Sequence, residues 1–320
     1  MQSIDQLIVA AAADALEQGR RGWLCCIAET FGASPRPLGS LLFLDSDGNL
    51  TGSLSGGCIE DDLLERLAAG QLAVGAPEVI EYGVTPEENE RFGLPCGGRM
   101  RIVIEALDES KLALLRTLAS ALAQRRVLRR YVDLVGGDWR LEERKVCEPL
   151  CLDENTLIQD FGPRFQLLLV GANELARCIS EIALAMDYRV VVCDPRADRL
   201  QQWGLAGVEL VGDMPDDAVM AYARDAHSMV ITLTHDPRID DMALMQALLE
   251  DIFYVGALGS ERTSAKRRER LRLLDLSEDQ IARLHAPVGL NIGSKSAMEI
   301  AVAIMAELTQ LRARGSRRVA

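Results

Sequence analysis

From residue 166 onward, short apolar runs alternate with amphipathic stretches, and this alternation constrains the fold more than any other feature. Residues 166–170, 189–193, 229–233 and 253–258 have the length and aliphatic content of buried strands. Between them, 174–186, 218–224 and 240–249 carry apolar residues at helical spacing. Strands that are apolar on both faces and separated by helices call for a parallel sheet covered on both sides. The expected second half, 161–320, is therefore a Rossmann-like α/β domain that ends in a helix over about 296–311.

The first half, 1–160, reads as mixed α and β. Segments 23–28, 41–44 and 99–105 fit strands. Asp45-Ser46-Asp47-Gly48-Asn49 is a hairpin signal leading to Leu50. Ser3 is a helix N-cap ahead of Ile4, Leu7, Ile8, Ala11, Ala12 and Leu16, which share one helical face. Residues 60–69 and 111–126 also have helical spacing. A Gly162-Pro163 breaker marks the boundary. A length of 320 agrees with two domains of roughly 150 residues each.

Charge excludes one class of partner. The chain has 35 basic and 48 acidic side chains, a formal charge of −13, and most of the excess lies in the first half. A general nucleic-acid binder needs a basic face instead. No run approaches the roughly 18 apolar residues of a membrane span. The N-terminus lacks the basic stretch of a signal peptide. The expected compartment is the cytoplasm, where the eight cysteines stay as thiols.

Two cysteines have settings that suggest chemistry. Cys58 follows Gly56-Gly57 and precedes Glu60, and Cys96 precedes Gly97-Gly98. Glycine beside a thiol lets a ligand come close. Cys58 also precedes a helix start, where the dipole favours thiolate. Arg36, between Pro35 and Pro37, is an anion contact in a rigid turn or a solvated turn residue. Cys25-Cys26 lie on a strand, so one points inward and one outward, and Cys178 and Cys193 read as structural. Cys147 and Cys151 lack the second pair that a closed zinc site wants.

In the second half, the turn after the first strand reads Gly171-Ala172-Asn173-Glu174-Leu175-Ala176. A dinucleotide fingerprint has glycine where Asn173 stands, so that a pyrophosphate can approach the backbone. Asp194 ends the next strand, where a ribose-binding acid belongs. The expectation is a Rossmann fold without its dinucleotide, and NAD(P) is not the expected cofactor. His235 follows a strand end and is a ligand contact or a cap; His227 and His285 read as structural. The basic segment 261–272 is a solvated helix face or an attractor of phosphate.

Together these segments resemble the XdhC/CoxI family of molybdenum-hydroxylase accessory proteins. The resemblance rests on Ser34-Pro35-Arg36 with Gly39, on Gly52 through Glu60, and on Gly93 through Gly98. Further along it rests on Gly171-Ala172, Asp194-Pro195-Arg196, Thr234-His235-Asp236 with Asp240, Tyr254 through Ser260, and Pro287 through Gly293. It implies a cofactor chaperone with no independent enzyme activity, which supports sulfuration of the molybdenum cofactor and its insertion into an apo molybdenum hydroxylase of the xanthine or aldehyde dehydrogenase type. The cargo would be molybdopterin or its cytosine dinucleotide form. Implied partners are that apoenzyme, a cysteine desulfurase and a cofactor nucleotidyltransferase. Implied contacts are Cys58 and Cys96 to molybdenum or sulfur. Arg36, Gly56, Gly57, Glu60, Gly97, Gly98, Gly171, Asp194 and His235 would hold the rest. The family pattern often has Gly-Ala-Gly-His where this chain has Gly171-Ala172-Asn173-Glu174.

Two other readings compete. An NAD(P)-dependent oxidoreductase would use the second half, but Asn173 argues against it. A thiol-redox protein would pair Cys58 with Cys96, which lie far outside C-x-x-C spacing. The apolar C-terminal helix, 298–311, is a homodimer seam or a core element.

Overall fold

The computed structural model describes residues 3–94 and 98–317. The chain divides into two units, one running to Pro163 and the other beginning at Arg164.

The first unit contains α1 (Ile4–Glu17), β1 (Gly22–Phe31), β2 (Leu41–Asp45), β3 (Leu50–Gly52), α2 (Cys58–Ala68), β4 (Glu78–Tyr82), α3 (Pro86–Phe92), β5 (Arg99–Leu107) and α4 (Leu112–Ala123). After these come β6 (Val127–Asp133), β7 (Trp139–Arg144), β8 (Cys151–Leu152) and β9 (Thr156–Phe161). Five strands form an antiparallel sheet in the order β3-β2-β1-β5-β4, and four form a second sheet in the order β7-β6-β9-β8. The Asp45–Asn49 turn joins β2 to β3, with Leu44 opposite Leu50.

Both faces of the five-stranded sheet are covered. Cys25 packs with Ile59, Leu63 and Leu67 of α2. Cys26 packs with α1, α4 and apolar residues of the second sheet. The expectation that one of the two points outward is thus corrected, because no face of β1 meets solvent there and both thiols are fully buried. Burial pushes the Cys26 thiol up to about 12, and raises Cys25 as well.

Ser3 caps α1 as expected, in a reciprocal box with Gln6. The buried face differs from the one read in sequence. It is Ile8, Val9, Ala12, Ala13, Ala15 and Leu16, while Ile4 and Leu7 are exposed. Helix α1 packs against both α4 and the β2–β3 hairpin, so the buried arc is wider than a single stripe.

The second unit alternates strand and helix: β10 (Gln166–Val170), α5 (Glu174–Ala185), β11 (Arg189–Cys193), α6 (Ala197–Gln201), β12 (Glu209–Val211), α7 (Pro215–Tyr222) and β13 (Ser228–Thr232). It continues with α8 (Pro237–Leu249), β14 (Tyr254–Ala257), α9 (Glu261–Leu273), α10 (Glu278–Ala282), β15 (Leu284–His285) and α11 (Ala297–Arg317). All six strands are parallel, in the order β12-β11-β10-β13-β14-β15. The expected Rossmann-like sheet is present. Strand order reverses between β10 and β13, and ligands of such sheets bind at that reversal. Leu168, Val170 and Val230 face α7 and α8, whereas Leu167, Leu169 and Ile231 face α5 and α11.

Helix α11 buries Ala301, Ala303, Ile304, Met305 and Leu308 in this core, so it is a core element. The basic helix α9 is largely occupied by internal contacts. Arg267 and Arg270 pair with Asp240 and Asp241, Arg272 pairs with Glu278, and Arg268 donates to the carbonyls of Leu284 and Ala286. Among the described residues, no helix is long and apolar enough to cross a membrane.

Candidate functional site

In the first unit, the loop from Ser53 to Gly57 folds around a single carboxylate. Oε1 of Glu60 accepts the amides of Leu54 (2.8 Å), Ser55 (2.8 Å) and Gly56 (3.1 Å) and the Ser53 hydroxyl (2.8 Å). Oε2 accepts the Gly57 amide (2.9 Å) and the Ser55 hydroxyl. Glu60 is buried, and burial alone would raise its pKa; the Ser55 hydroxyl and the loop amides outweigh this and hold it well below the carboxylate range. The carboxylate is therefore turned inward onto its own loop, where both of its oxygens are occupied by loop donors. In this geometry the amides of Gly56 and Gly57 are both taken by Glu60.

What this loop presents outward is Cys58. The thiol is exposed at the first position of α2. Gly56 has φ +102°, which favours glycine, and a Cβ at Gly56 or Gly57 would meet nothing within 4 Å. Bare backbone next to open space thus flanks an accessible sulfur. Arg36 lies in an exposed turn, where its own carbonyl accepts from the Ser34 hydroxyl at 2.7 Å. Cys96 and Gly97 lie outside the described residues; Gly98 is buried.

In the second unit, a crevice of about 640 Å³ opens at the strand-order reversal. Asn173, His235, Arg196, Arg199 and Arg238 line it. Gly171 makes the tight turn beneath it. Its φ is +113°, and a Cβ there would come within 2.7 Å of Thr234 Cγ2. Asn173 caps α5 by accepting the Ala176 amide (2.9 Å), while its Nδ2 donates to the Leu233 carbonyl (2.9 Å). The residue at the second glycine position is therefore clamped at both ends.

Asp194 is fully buried beneath this crevice. Its Oδ1 accepts the Arg196 amide (3.1 Å) and Nε (2.8 Å), and its Oδ2 accepts the Ala172 amide (2.9 Å) and Arg196 Nη2 (2.7 Å). Burial opposes ionisation, but the Arg196 side chain and the two amides outweigh it and lower the pKa. Arg196 thus stands between Asp194 and the crevice. His235 is exposed on the lining, as a residue after a strand end should be.

A buried ion pair supports the crevice from behind. Asp240 accepts the Thr234 hydroxyl (2.7 Å) and amide (3.3 Å) and pairs with Arg267 Nη2 (2.9 Å). Arg267 also donates to the Leu258 carbonyl (3.1 Å). The ends of β13 and β14 are thereby tied to α8 and α9. Sequence reasoning placed Arg267 within a basic helix face and missed this role. Its helical spacing from Ser264 and Leu271, which puts all three on one face of α9, was the available signal.

Comparison with known proteins follows the same division. Residues 167–308 match the model of the XdhC Rossmann domain, and residues 15–83 match the model of the XdhC and CoxI family. An Escherichia coli K12 protein named as a molybdenum cofactor insertion chaperone, PaoD, is 28% identical over 95% of this chain and 88% of its own length. A Bacillus subtilis protein named as a probable component of xanthine dehydrogenase is 24% identical over 93% of this chain and 96% of its own. The crystal structure of a xanthine dehydrogenase from Bacillus halodurans shares the fold across the whole chain, covering 100% of it and 98% of that protein, with a TM-score of 0.75 at 22% identity.

Proposed function

We propose, because this chain belongs to the XdhC and CoxI family, that it holds the molybdenum cofactor as cargo and passes it to an apo molybdenum hydroxylase of the xanthine or aldehyde dehydrogenase type. The observation that carries this reading is the exposed Cys58 thiol on a loop locked by Glu60. Thiolate is a soft donor suited to a metal already bound by sulfur. Cys58 either ligates molybdenum or carries, as a persulfide, sulfur received from a cysteine desulfurase. The relative named as an insertion chaperone supports the delivery role. The cargo is molybdopterin or its cytosine dinucleotide form, and a nucleotidyltransferase is the partner that the second form requires.

The test is purification from a host competent for the cofactor, followed by addition to an apo hydroxylase. Copurified pterin and recovered hydroxylase activity are expected, both lost in the Cys58→Ala variant. If Cys58→Ala and Cys96→Ala each leave cofactor retention and recovered activity intact, the thiol role is excluded. If no hydroxylase recovers activity with the wild-type protein, the delivery role is excluded.

A further inference from the structure

The crevice of the second unit is built on a dinucleotide-binding frame, yet the two features that read a dinucleotide are both closed. The acid at the end of the second strand of such a frame ordinarily takes ribose hydroxyls. Asp194 has two donors on each oxygen, which fills the roughly four acceptor positions of a carboxylate. It is also 0% exposed, so a sugar reaches it only by displacing Arg196. The second glycine ordinarily lets a pyrophosphate settle on the backbone. Asn173 occupies that position, held by Ala176 at one end and Leu233 at the other.

What the crevice offers instead is guanidinium. Arg196 uses Nε and Nη2 on Asp194 and keeps its Nη1 edge, with its side chain 44% exposed. Arg238 uses Nε and Nη2 on Asp236 and is 89% exposed. Arg199 lies on the same wall. The acids on the lining are Glu174 and Asp236, and Asp236 is held by Arg238. A guanidinium has five N–H donors, so each paired arginine retains donors fixed in direction by its carboxylate. Phosphate is the group that such forks match.

We infer that this crevice binds the phosphate group of a phosphorylated small molecule through Arg196 and Arg238, and leaves the ribose diol of that molecule unread. Arg196 is the specificity-determining residue, because it turns a sugar-reading acid into an anion-reading cation. The inference stands on the second unit alone and does not depend on the cargo reading. The phosphate could belong to a free nucleotide or to a phosphorylated cofactor, and both share this chemistry.

Calorimetric titration of the full chain with inorganic pyrophosphate, ADP, 2′-deoxy-ADP and NADH tests it. Saturable binding of pyrophosphate and ADP is expected, with 2′-deoxy-ADP indistinguishable from ADP and NADH about tenfold weaker or more. Arg238→Ala, at an exposed position that leaves the melting temperature unchanged, weakens pyrophosphate by about tenfold. The double variant Asn173→Gly with Arg196→Ala frees Asp194 and restores the glycine-rich turn, so it gains NADH binding. Three results would overturn the inference: no saturable pyrophosphate binding, a clear preference for ADP over 2′-deoxy-ADP, or wild-type affinity for NADH equal to that for ADP. None of these bears on pterin copurification or hydroxylase recovery, so the two readings fail separately.

Discussion

Glu60 reaches back to accept the amide hydrogen of Gly57 at 2.9 Å, and the same carboxylate holds three more amides and two hydroxyls of one loop. An anion made by the chain itself fills the nest that precedes α2. The consequence is a preformed loop whose one accessible sulfur is Cys58.

Replacing Glu60 by Gln exchanges an acceptor-only group for an amide whose NH₂ faces donors. A loss of about 2–4 kcal/mol in unfolding free energy is expected, measured by urea denaturation at neutral pH. The contrast with wild type also carries a pH signature. The folded pKa of Glu60 is lowered, so its contribution is present above the unfolded value of about 4.3 and fades as pH falls below it. The stability difference between wild type and Glu60→Gln therefore shrinks on acidification. A difference constant from neutral pH to about pH 3 would contradict this.

Thiol labelling separates the cysteines by burial. Iodoacetamide followed by mass spectrometry is expected to modify Cys58 in the folded protein. Cys25, Cys26, Cys178 and Cys193 stay protected until the chain is unfolded. Modification of Cys25 or Cys26 at the rate of Cys58 would show that the sheet faces are not covered as described.

The Asp240–Arg267 pair is buried, at 1% and 3% exposure of the side chains. Arg267→Met removes the cation that pairs with Asp240, a carboxyl whose pKa burial already raises, at an expected cost of about 3–5 kcal/mol. Removing both charges, as Arg267→Met with Asp240→Asn, costs less than the single change. Chemical denaturation of the four-protein cycle checks this, and purely additive effects would show that the two residues are uncoupled.

Gly171→Ala places a Cβ about 2.7 Å from Thr234 and demands a positive φ of alanine. A loss of about 1–3 kcal/mol is expected, read from the thermal midpoint. An unchanged midpoint would mean that the turn relaxes freely.

Much of the architecture is legible in the order of residues. Runs such as 166–170 and 189–193 are too short and too apolar for anything but buried strands, and the stretches between them have helical spacing. The outer reach of elements is less legible: α8 begins at Pro237, not 240, because Asp236 caps it and proline suits its first turn. The two glycine-flanked cysteines stand out because few other positions combine a thiol with bare backbone. Glu60 carries a legible signal as well, an acid three residues past a cap, though its neighbours suggest a contact to ligand.

Sequence by itself determined the parallel sheet, the cysteine-bearing loop and the displaced second glycine, because strand length, turn chemistry and residue identity are local properties. Only the tertiary structure decided what the polar groups do. Whether Asp194 faces a sugar or an arginine, whether the loop amides face a phosphate or Glu60, and whether Arg267 meets water or Asp240 are questions of pairing. A buried charge takes whichever partner the packing brings within hydrogen-bond reach, because leaving it unpaired costs several kcal/mol. Here the partners of the acids came from within the chain, and the groups left facing outward include the Cys58 thiol in one unit and a set of arginines in the other.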